Sequence, residues 1–308
     1  MGTRIAVLTN PSAGKGRARR VADAAVEHLR RRGAEVRVYE GATAVETREL
    51  AGQAIADRPD ALVVVGGDGT LSGILDDLIR GEIPVVLVPA GTGNDLARAL
   101  GLPRHDPTAA VDVALDGVVR RIDVGEVRSG GSASAFLTIA ALGFDAKVSE
   151  RTNILRWPYG ALRYYLALVI ELARLRPLRF AVTVDGGAWQ ERPGTLIAVG
   201  NTPSYGGGMP VCVGADPADG MLDLVEVAPL GRLRLLRLLP LLLKGRHLAR
   251  PEVAHRRARS VTVSAPGLVV YADGERLGED ECTITVRPRA LAILLPHDQP
   301  AGREREDD

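Results

Sequence analysis

Short apolar runs alternate with amphipathic stretches through the first hundred residues. Consecutive apolar positions at 5–8, 61–65 and 84–88 read as strands buried on both faces, and 35–39 as a further strand. Between them, 17–32 has helical spacing and stops at Gly33. A second helix ends near 56, a third covers 71–80, and 95–100 starts a fourth. Strands alternating with helices predict right-handed crossovers and a mostly parallel sheet.

The pattern changes near Ile122. From there the segments 135–140, 180–184, 195–199, 222–227, 260–263, 268–271 and 282–286 read as strands punctuated by Gly and Pro turns. Helical stretches at about 159–176 and 230–248 interrupt them. The expected fold class is α/β, with an N-terminal parallel-sheet domain at 1–122 and a C-terminal β-rich domain at 123–290. A charged, frayed tail follows from 302.

Composition narrows the picture without deciding it. Hydrophobic residues make up 46% of the 308, enough for a packed core, while aromatics at 4% leave Leu, Val and Ala to fill it. The formal net charge of +1 gives no global attraction to nucleic acid, so any membrane contact must be local. Cys212 and Cys282 have neither metal-ligand spacing nor a disulfide framework, which fits a reducing compartment. The N-terminal apolar run is too short for a signal-peptide core. The Leu-rich stretch 230–248 is broken by Arg232, Arg234, Arg237, Pro240, Lys244 and Arg246, whereas a span needs about 20 mostly apolar residues. The expectation is a soluble, cytoplasmic protein.

The strongest chemical signal is Gly66-Gly67-Asp68-Gly69-Thr70, followed by Leu71, between a buried strand and a helix. The glycines permit a sharp turn and the close approach of a phosphate to backbone amides, and the helix start favours negative charge. Asp68 then stands where phosphates belong and calls for a cation, for which Mg²⁺ is suited. A second turn, Pro89-Ala90-Gly91-Thr92-Gly93-Asn94-Asp95, follows the next strand, so both would face one crevice at the strand ends. Asn94 and Asp95 could equally cap the next helix. A third turn, Asn10-Pro11-Ser12-Ala13-Gly14-Lys15-Gly16, lacks Walker A spacing, and Lys15 reads either as a phosphate contact or as an ordinary exposed lysine.

Together these elements resemble the diacylglycerol kinase catalytic family, which includes bacterial lipid kinases and sphingosine and ceramide kinases and is related to NAD kinases. The likeness runs through Gly91-Thr92-Gly93-Asn94-Asp95-Leu96-Ala97-Arg98, Gly143-Phe144-Asp145-Ala146, Tyr205-Gly206-Gly207-Gly208-Met209, the stretch 216–224 and Asp273-Gly274-Glu275, nearly the whole chain. It implies a nucleotide-binding α/β domain completed by about 291–308, a sandwich-like second domain, and an active site between them. It also implies ATP and Mg²⁺ as cofactors, Glu275 as general base, and Asp68 and Asp95 as catalytic partners. Nucleotide contacts would come from Asn10, Pro11, Ser12, Ala13, Gly14, Gly66, Gly67, Asp68, Gly69, Thr70, Leu71, Thr92 and Asn94, with Thr43 the candidate after the second strand and Ala42 aligning about as well. A structural Mg²⁺ would take the Asp219 carboxylate and the carbonyls of Asp216 and Met221.

The residues themselves agree for Glu275, since a strand ending in a turn presents side chains to a crevice and a carboxylate there can take the proton of an acceptor hydroxyl. Alone, Asp273-Gly274-Glu275 is an ordinary hairpin turn and Asp216-Pro217-Ala218-Asp219-Gly220 an ordinary loop. One departure stands out: Ser72-Gly73 replaces the Asn-Glu found in many relatives, removing a helix-borne carboxylate near the phosphates.

The resemblance names a lipid acceptor, most simply diacylglycerol, and no nucleic acid; it leaves a homodimer open. Residues 230–248 read either as a peripheral contact with the inner face of a membrane or as a core helix whose arginines reach solvent, the latter preferred. Trp157, Trp189, Tyr164 and Tyr165 read as core packing in preference to an acyl-chain pocket. The alternatives are an NAD kinase-like or small-alcohol kinase and a catalytically silent lipid-binding relative.

Overall fold

The structure is a computed structural model and describes residues 2–10, 17–91, 93–155, 157–158 and 161–297. The first part alternates strands and helices: β1 (Arg4–Thr9), α1 (Arg17–Arg31), β2 (Glu35–Glu40), α2 (Ala44–Ala56), β3 (Ala61–Gly66), α3 (Asp68–Ser72), α4 (Leu75–Gly81), β4 (Val85–Pro89), α5 (Asp95–Ala99) and α6 (Pro107–Asp116). β1 pairs in parallel with β2 and β3, and β3 with β4. β3 and β4 are buried at every position, which is why their sequences are unbroken apolar runs. α1 buries Ala18, Val21, Ala22, Ala25, Val26 and Leu29 on one face, carries His28, Arg30 and Arg31 at its C-terminal end, and is stopped by Gly33 at φ 86°.

The second part comprises β5 (Val118–Ser129), β6 (Ser132–Phe136), β7 (Ile139–Gly143), α7 (Phe144–Ile154), α8 (Ala161–Ala173), β8 (Leu178–Val184), β9 (Gln190–Gly194), β10 (Leu196–Gly200), β11 (Ser204–Tyr205), β12 (Met209–Pro210), β13 (Leu222–Val227), α9 (Arg232–Leu243), β14 (Val253–Ala258), β15 (Ser260–Ala272) and β16 (Glu275–Leu295). Here the ladders are antiparallel. β16 passes from one part to the other: it pairs with β15, then with β5, and meets β4 in parallel at Ile293 and Val85. One sheet among the described residues therefore runs in the order β14-β13-β10-β7-β15-β16-β4-β3-β1-β2. The class is the expected one, a mostly parallel N-terminal sheet followed by a β-rich region.

The core follows this continuity. One apolar cluster joins Leu8, Leu62 and Leu87 of the parallel strands to Ile122, Val124, Leu137, Leu291 and Ile293. Burying each such side chain stabilises the fold by roughly 1.5–3 kcal/mol.

Several elements differ from the sequence expectation. The helix expected at 71–80 is two helices, because the chain changes direction at Gly73-Ile74. The strand expected at 135–140 breaks at Leu137-Thr138, where both amides turn to Asp273. α6 and α7 were not foreseen. Trp157, Trp189 and Tyr165 are 72%, 49% and 60% exposed, so they do not fill the core as the sequence reading prefers. No described helix is long and apolar enough to cross a membrane.

Candidate active site

The glycine-rich turns after β3 and β4 lie against each other. A Cβ on Gly91 would stand 2.7 Å from the Gly67 Cα, so this approach requires glycine. Asp68 opens α3 and reaches across to α5. Its Oδ2 accepts the Asp95 amide at 2.8 Å and its Oδ1 the Leu96 amide at 3.1 Å. The carboxylate thus caps α5 from another loop, a role for which Asn94 and Asp95 were the sequence candidates. Burial pushes the Asp68 carboxyl up to about 6, with Asp95 and Asp273 adding to the rise and the two amides opposing it.

Asn94 adopts the left-handed conformation at φ 53° and donates from Nδ2 to the Gly91 carbonyl at 3.1 Å. Its Oδ1 is buried with no hydrogen-bond partner among the described residues, an acceptor left for a ligand donor. Asp95 accepts three hydrogen bonds. Its Oδ1 accepts from Arg98 Nη1 at 2.7 Å and Ser204 Oγ at 3.2 Å, and its Oδ2 from the Gly207 amide at 2.7 Å. It ties the loop before α5 to the glycine turn Gly206-Gly207-Gly208 of the β-rich part. Gly208, at φ 103°, lies on the Arg98 guanidinium, where a Cβ would come within 2.8 Å of Cζ.

The acidic hairpin closes the other side. β15 and β16 pair at Ala272 and Glu275 and are joined by Asp273 at φ 51° and Gly274 at φ 89°, the positive-φ pair of a type I′ turn. Asp273 Oδ2 accepts the Leu137 amide at 2.7 Å, Oδ1 accepts the Thr138 amide at 3.0 Å and the Thr138 hydroxyl, and the Ser72 side chain lies near the same carboxylate. Burial holds the Asp273 carboxyl above its usual range against those donors. The late hairpin thereby lies beside α3, which follows the Gly66-Gly67 turn. Glu275, which follows Gly274 and opens β16, is exposed, and its side chain makes no hydrogen bond or ion pair to a described residue.

Residues 4–127 match the diacylglycerol kinase catalytic domain, and residues 138–295 match the YegS C-terminal NAD kinase beta sandwich-like domain. A diacylglycerol kinase of Mycobacterium tuberculosis is 43% identical over 95% of both chains. The chain belongs to the diacylglycerol kinase catalytic family. A probable YegS-like lipid kinase of Pseudomonas fluorescens is 35% identical over 90% of this kinase and 91% of its own length. Among solved structures, a putative diacylglycerol kinase from Bacillus anthracis superposes with a TM-score of 0.74 at 23% identity, covering 96% of this chain and 97% of that one. An NAD kinase from Archaeoglobus fulgidus in complex with ATP gives 0.55 at 19% identity, covering 96% and 94%; both likenesses speak for the fold.

The other residues singled out in the sequence fall into three groups. Gly66, Gly69, Thr70 and Leu71 belong to the turn and α3, and Asn10 follows β1 on the same sheet; Pro11, Ser12, Ala13, Gly14 and Thr92 lie outside the described residues. Thr43 is the N-cap of α2, its hydroxyl accepting the Glu46 amide at 3.1 Å while Glu46 Oε2 accepts the Ala42 amide at 2.8 Å. That lone pair serves the helix. Asp216, Asp219 and Met221 share one turn, but Asp219 is ion-paired with Arg257 and accepts the Met221 amide at 2.9 Å. A cation on the Asp219 carboxylate would have to displace that guanidinium. Among the described residues no group of three or more His, Cys, Asp or Glu side chains is arranged to hold a metal.

Three polar residues escaped the sequence reading. Asp123 is fully buried and accepts the Gly220 amide at 2.6 Å and the Arg289 amide at 2.7 Å, joining the 216–221 turn to β16. Asp145, in α7, accepts the Tyr205 hydroxyl and is pushed by burial up to about 6. Tyr205 stands directly before the glycine turn that bonds Asp95. The sequence signal for Asp123 is a lone carboxylate inside the apolar run Ile122-Asp123-Val124; for Asp145 and Tyr205 it is their place in the family motifs.

Proposed function

We propose that this kinase transfers the γ-phosphate of ATP to the hydroxyl of diacylglycerol, giving phosphatidate. The observation that supports the reading is the Asp273 hairpin beside Ser72 and within electrostatic reach of Asp68, a placement that brings the general-base candidate Glu275 toward the two glycine turns. The part formed by 1–122 and 291–308 takes the nucleotide, and 123–290 takes the acceptor. The turns at Gly66-Gly67 and Gly91 leave room for phosphates against backbone amides. Asp68 would hold magnesium, whose chemistry there is to neutralise charge on the phosphate oxygens. Asp95 fixes both loops through Arg98, Ser204 and Gly207. A bond forms between the acceptor oxygen and the γ-phosphorus, the bond to the bridging oxygen breaks, ADP leaves, and Glu275 takes the acceptor proton. Contact with the membrane is peripheral and includes 230–248.

Ser72 favours an active enzyme over a silent relative, because the residue that departs from the common motif lies beside the Asp273 hairpin. The test is Glu275→Gln. Turnover of diacylglycerol should fall by about 10² or more while ATP binding stays near wild type. Retention of most of the rate removes Glu275 from the base role, and transfer to NAD in preference to diacylglycerol rejects the lipid acceptor.

A further inference from the structure

Two motifs singled out in the sequence, Gly143-Phe144-Asp145-Ala146 and Tyr205-Gly206-Gly207-Gly208-Met209, meet in the fold. The second is a hairpin with little of its own to hold it. β11 and β12 form a sheet of two strands with two rungs, Ser204 to Pro210 and Tyr205 to Met209, and a lone hairpin of that size is marginal in water. Its tip is three glycines in succession at φ 64°, 90° and 103°. Glycine has the most backbone freedom to lose, so such a tip keeps one conformation only where outside groups fix it.

Outside groups meet it at two points. On the cleft side, the Ser204 hydroxyl and the Gly207 amide donate to the two oxygens of the buried Asp95 carboxylate at 3.2 and 2.7 Å. A Cβ on Gly93 would stand 3.2 Å from Asp95 Oδ2, 3.4 Å from Asp68 Oδ2 and 3.7 Å from the Gly207 nitrogen, so the tip shares one corner with both carboxylates. At the second point the Tyr205 hydroxyl donates to Asp145, while the Tyr205 ring packs on the apolar cluster of Ile139, Val211 and Cys212. The Thr202 hydroxyl and the Cys212 amide bond the carbonyls of Ser204 and Pro203 at 3.2 and 3.0 Å, which fixes the base of the hairpin but not its tip.

Asp145 is a firm anchor. It is buried in the first turn of α7, where a helix start favours negative charge. Gly143 before it has φ 84°, and a Cβ there would stand 2.9 Å from the Thr195 carbonyl oxygen, which accepts the Phe144 amide at 3.0 Å. The entry to α7 is therefore pinned to the sheet. Among the described residues, the Tyr205 hydroxyl is the one side-chain donor to the Asp145 carboxylate. A buried polar pair adds little net stability over an apolar pair of the same shape, so what this one contributes is direction.

We propose that Asp145 and Tyr205 are positioning residues for phosphoryl transfer. Asp145, pinned to the sheet, holds Tyr205; Tyr205 orients the Gly206-Gly207-Gly208 tip; the tip keeps the Asp95 carboxylate in place at the cleft. This rests on the kinase reading of that cleft, and it assigns the pair an action through Asp95 rather than contact with the reacting atoms.

Kinetics and hydrogen exchange test it together. Tyr205→Phe removes one oxygen and keeps the ring, and Asp145→Ala removes the acceptor. Each should lower kcat for diacylglycerol by about ten-fold or more, with the KM for ATP near wild type. Asp145→Asn, which keeps an acceptor, should recover most of the rate that Asp145→Ala loses. Asp145→Ala/Tyr205→Phe should be no slower than the slower single variant, because the pair acts as a unit. In Tyr205→Phe the Gly207 amide should exchange about ten-fold faster while the amides of α1 keep their wild-type rates, a local change that a general loss of stability does not produce. Should Asp145→Ala fail to fold, Tyr205→Phe and Asp145→Asn carry the comparison. Losses that multiply in the double variant, a wild-type kcat in Tyr205→Phe, or an unchanged Gly207 amide each overturn the inference. A wild type that phosphorylates no diacylglycerol rejects the lipid-kinase reading instead, and exchange at Gly207 still decides whether Tyr205 holds the tip.

Discussion

Desolvation holds the Asp68 and Asp273 carboxyls above their usual range while backbone amides pull them back down, so each is poised by opposed local forces. Beside the Leu137 and Thr138 donors, the Ser72 side chain lies near the Asp273 carboxylate and can be deleted. Ser72→Ala should cost at most about 1.5 kcal/mol of stability, the upper end for a typical intramolecular hydrogen bond. Because Leu137 and Thr138 still hold the hairpin from the other side, kcat should fall several-fold with little change in the KM for ATP. Steady-state kinetics check this, and an unchanged kcat would mean that Leu137 and Thr138 fix the hairpin alone. Asp145 offers a cleaner pH test, because it lies apart from the phosphate turns. Its folded value of about 6 stands above the ordinary 3.8, so the folded chain holds that proton more tightly than the unfolded one. Its contribution is therefore fullest at low pH, is lost as pH rises through the interval from about 4 to about 6, and is flat above it. Asp145→Asn keeps an acceptor for Tyr205 without the charge. Its advantage over wild type in urea unfolding should grow across that interval to on the order of 3 kcal/mol at most. A constant difference would show that Asp145 is not the group titrating there.

At the scale of elements, the two glycine turns are coupled by contact, and substitution separates fold from function. Gly91→Ala places a Cβ 2.7 Å from the Gly67 Cα, which must move; roughly 1–3 kcal/mol of stability should be lost, with weaker ATP binding. A Cβ on Gly69 meets nothing within 4 Å, so Gly69→Ala should fold normally, and any loss of ATP affinity then reports phosphate approach itself. Calorimetric titration with ATP on both variants decides the matter; normal ATP affinity in Gly69→Ala would remove α3 from the phosphate site. The sequence made the turns, the parallel strands and the hairpin legible because glycine, unbroken apolar runs and Asp-Gly carry local signals. It did not make α7 legible, since Phe144–Ile154 mixes polar and apolar positions without a clear stripe and buries Asp145 instead. Asp95 read only as a cap or a functional carboxylate, because its partners Ser204 and Gly207 are more than a hundred residues away. Thr43, a nucleotide candidate by resemblance, also carried a local signal that the reading passed over, since Thr-x-x-Glu is a capping-box pattern.

Across the whole molecule, β5 and β16 make the two parts one body, since neither strand ends where the hydrophobic pattern changes. β5 runs through Ile122 and Asp123, and β16 runs from the Glu275 hairpin to Leu295, so the strand that presents the general-base candidate also edges the nucleotide-side sheet. The Asp123 bonds to Gly220 and Arg289 brace the point where it bends. Ile293 is the sharpest probe of this union. It is fully buried, pairs with Val85 of β4 and Arg120 of β5, and packs in the cluster that spans both parts. Ile293→Ala should destabilise the chain by about 2–5 kcal/mol. If the parts share one core, urea unfolding followed by far-UV circular dichroism, dominated by helices such as α1 and α2, should shift together with unfolding followed by Trp189 in the β-rich part. A Trp189 transition that stays at the wild-type midpoint while the helical signal moves would mean that the parts melt separately, and that the hairpin meets the glycine turns by docking of two domains rather than by a continuous sheet.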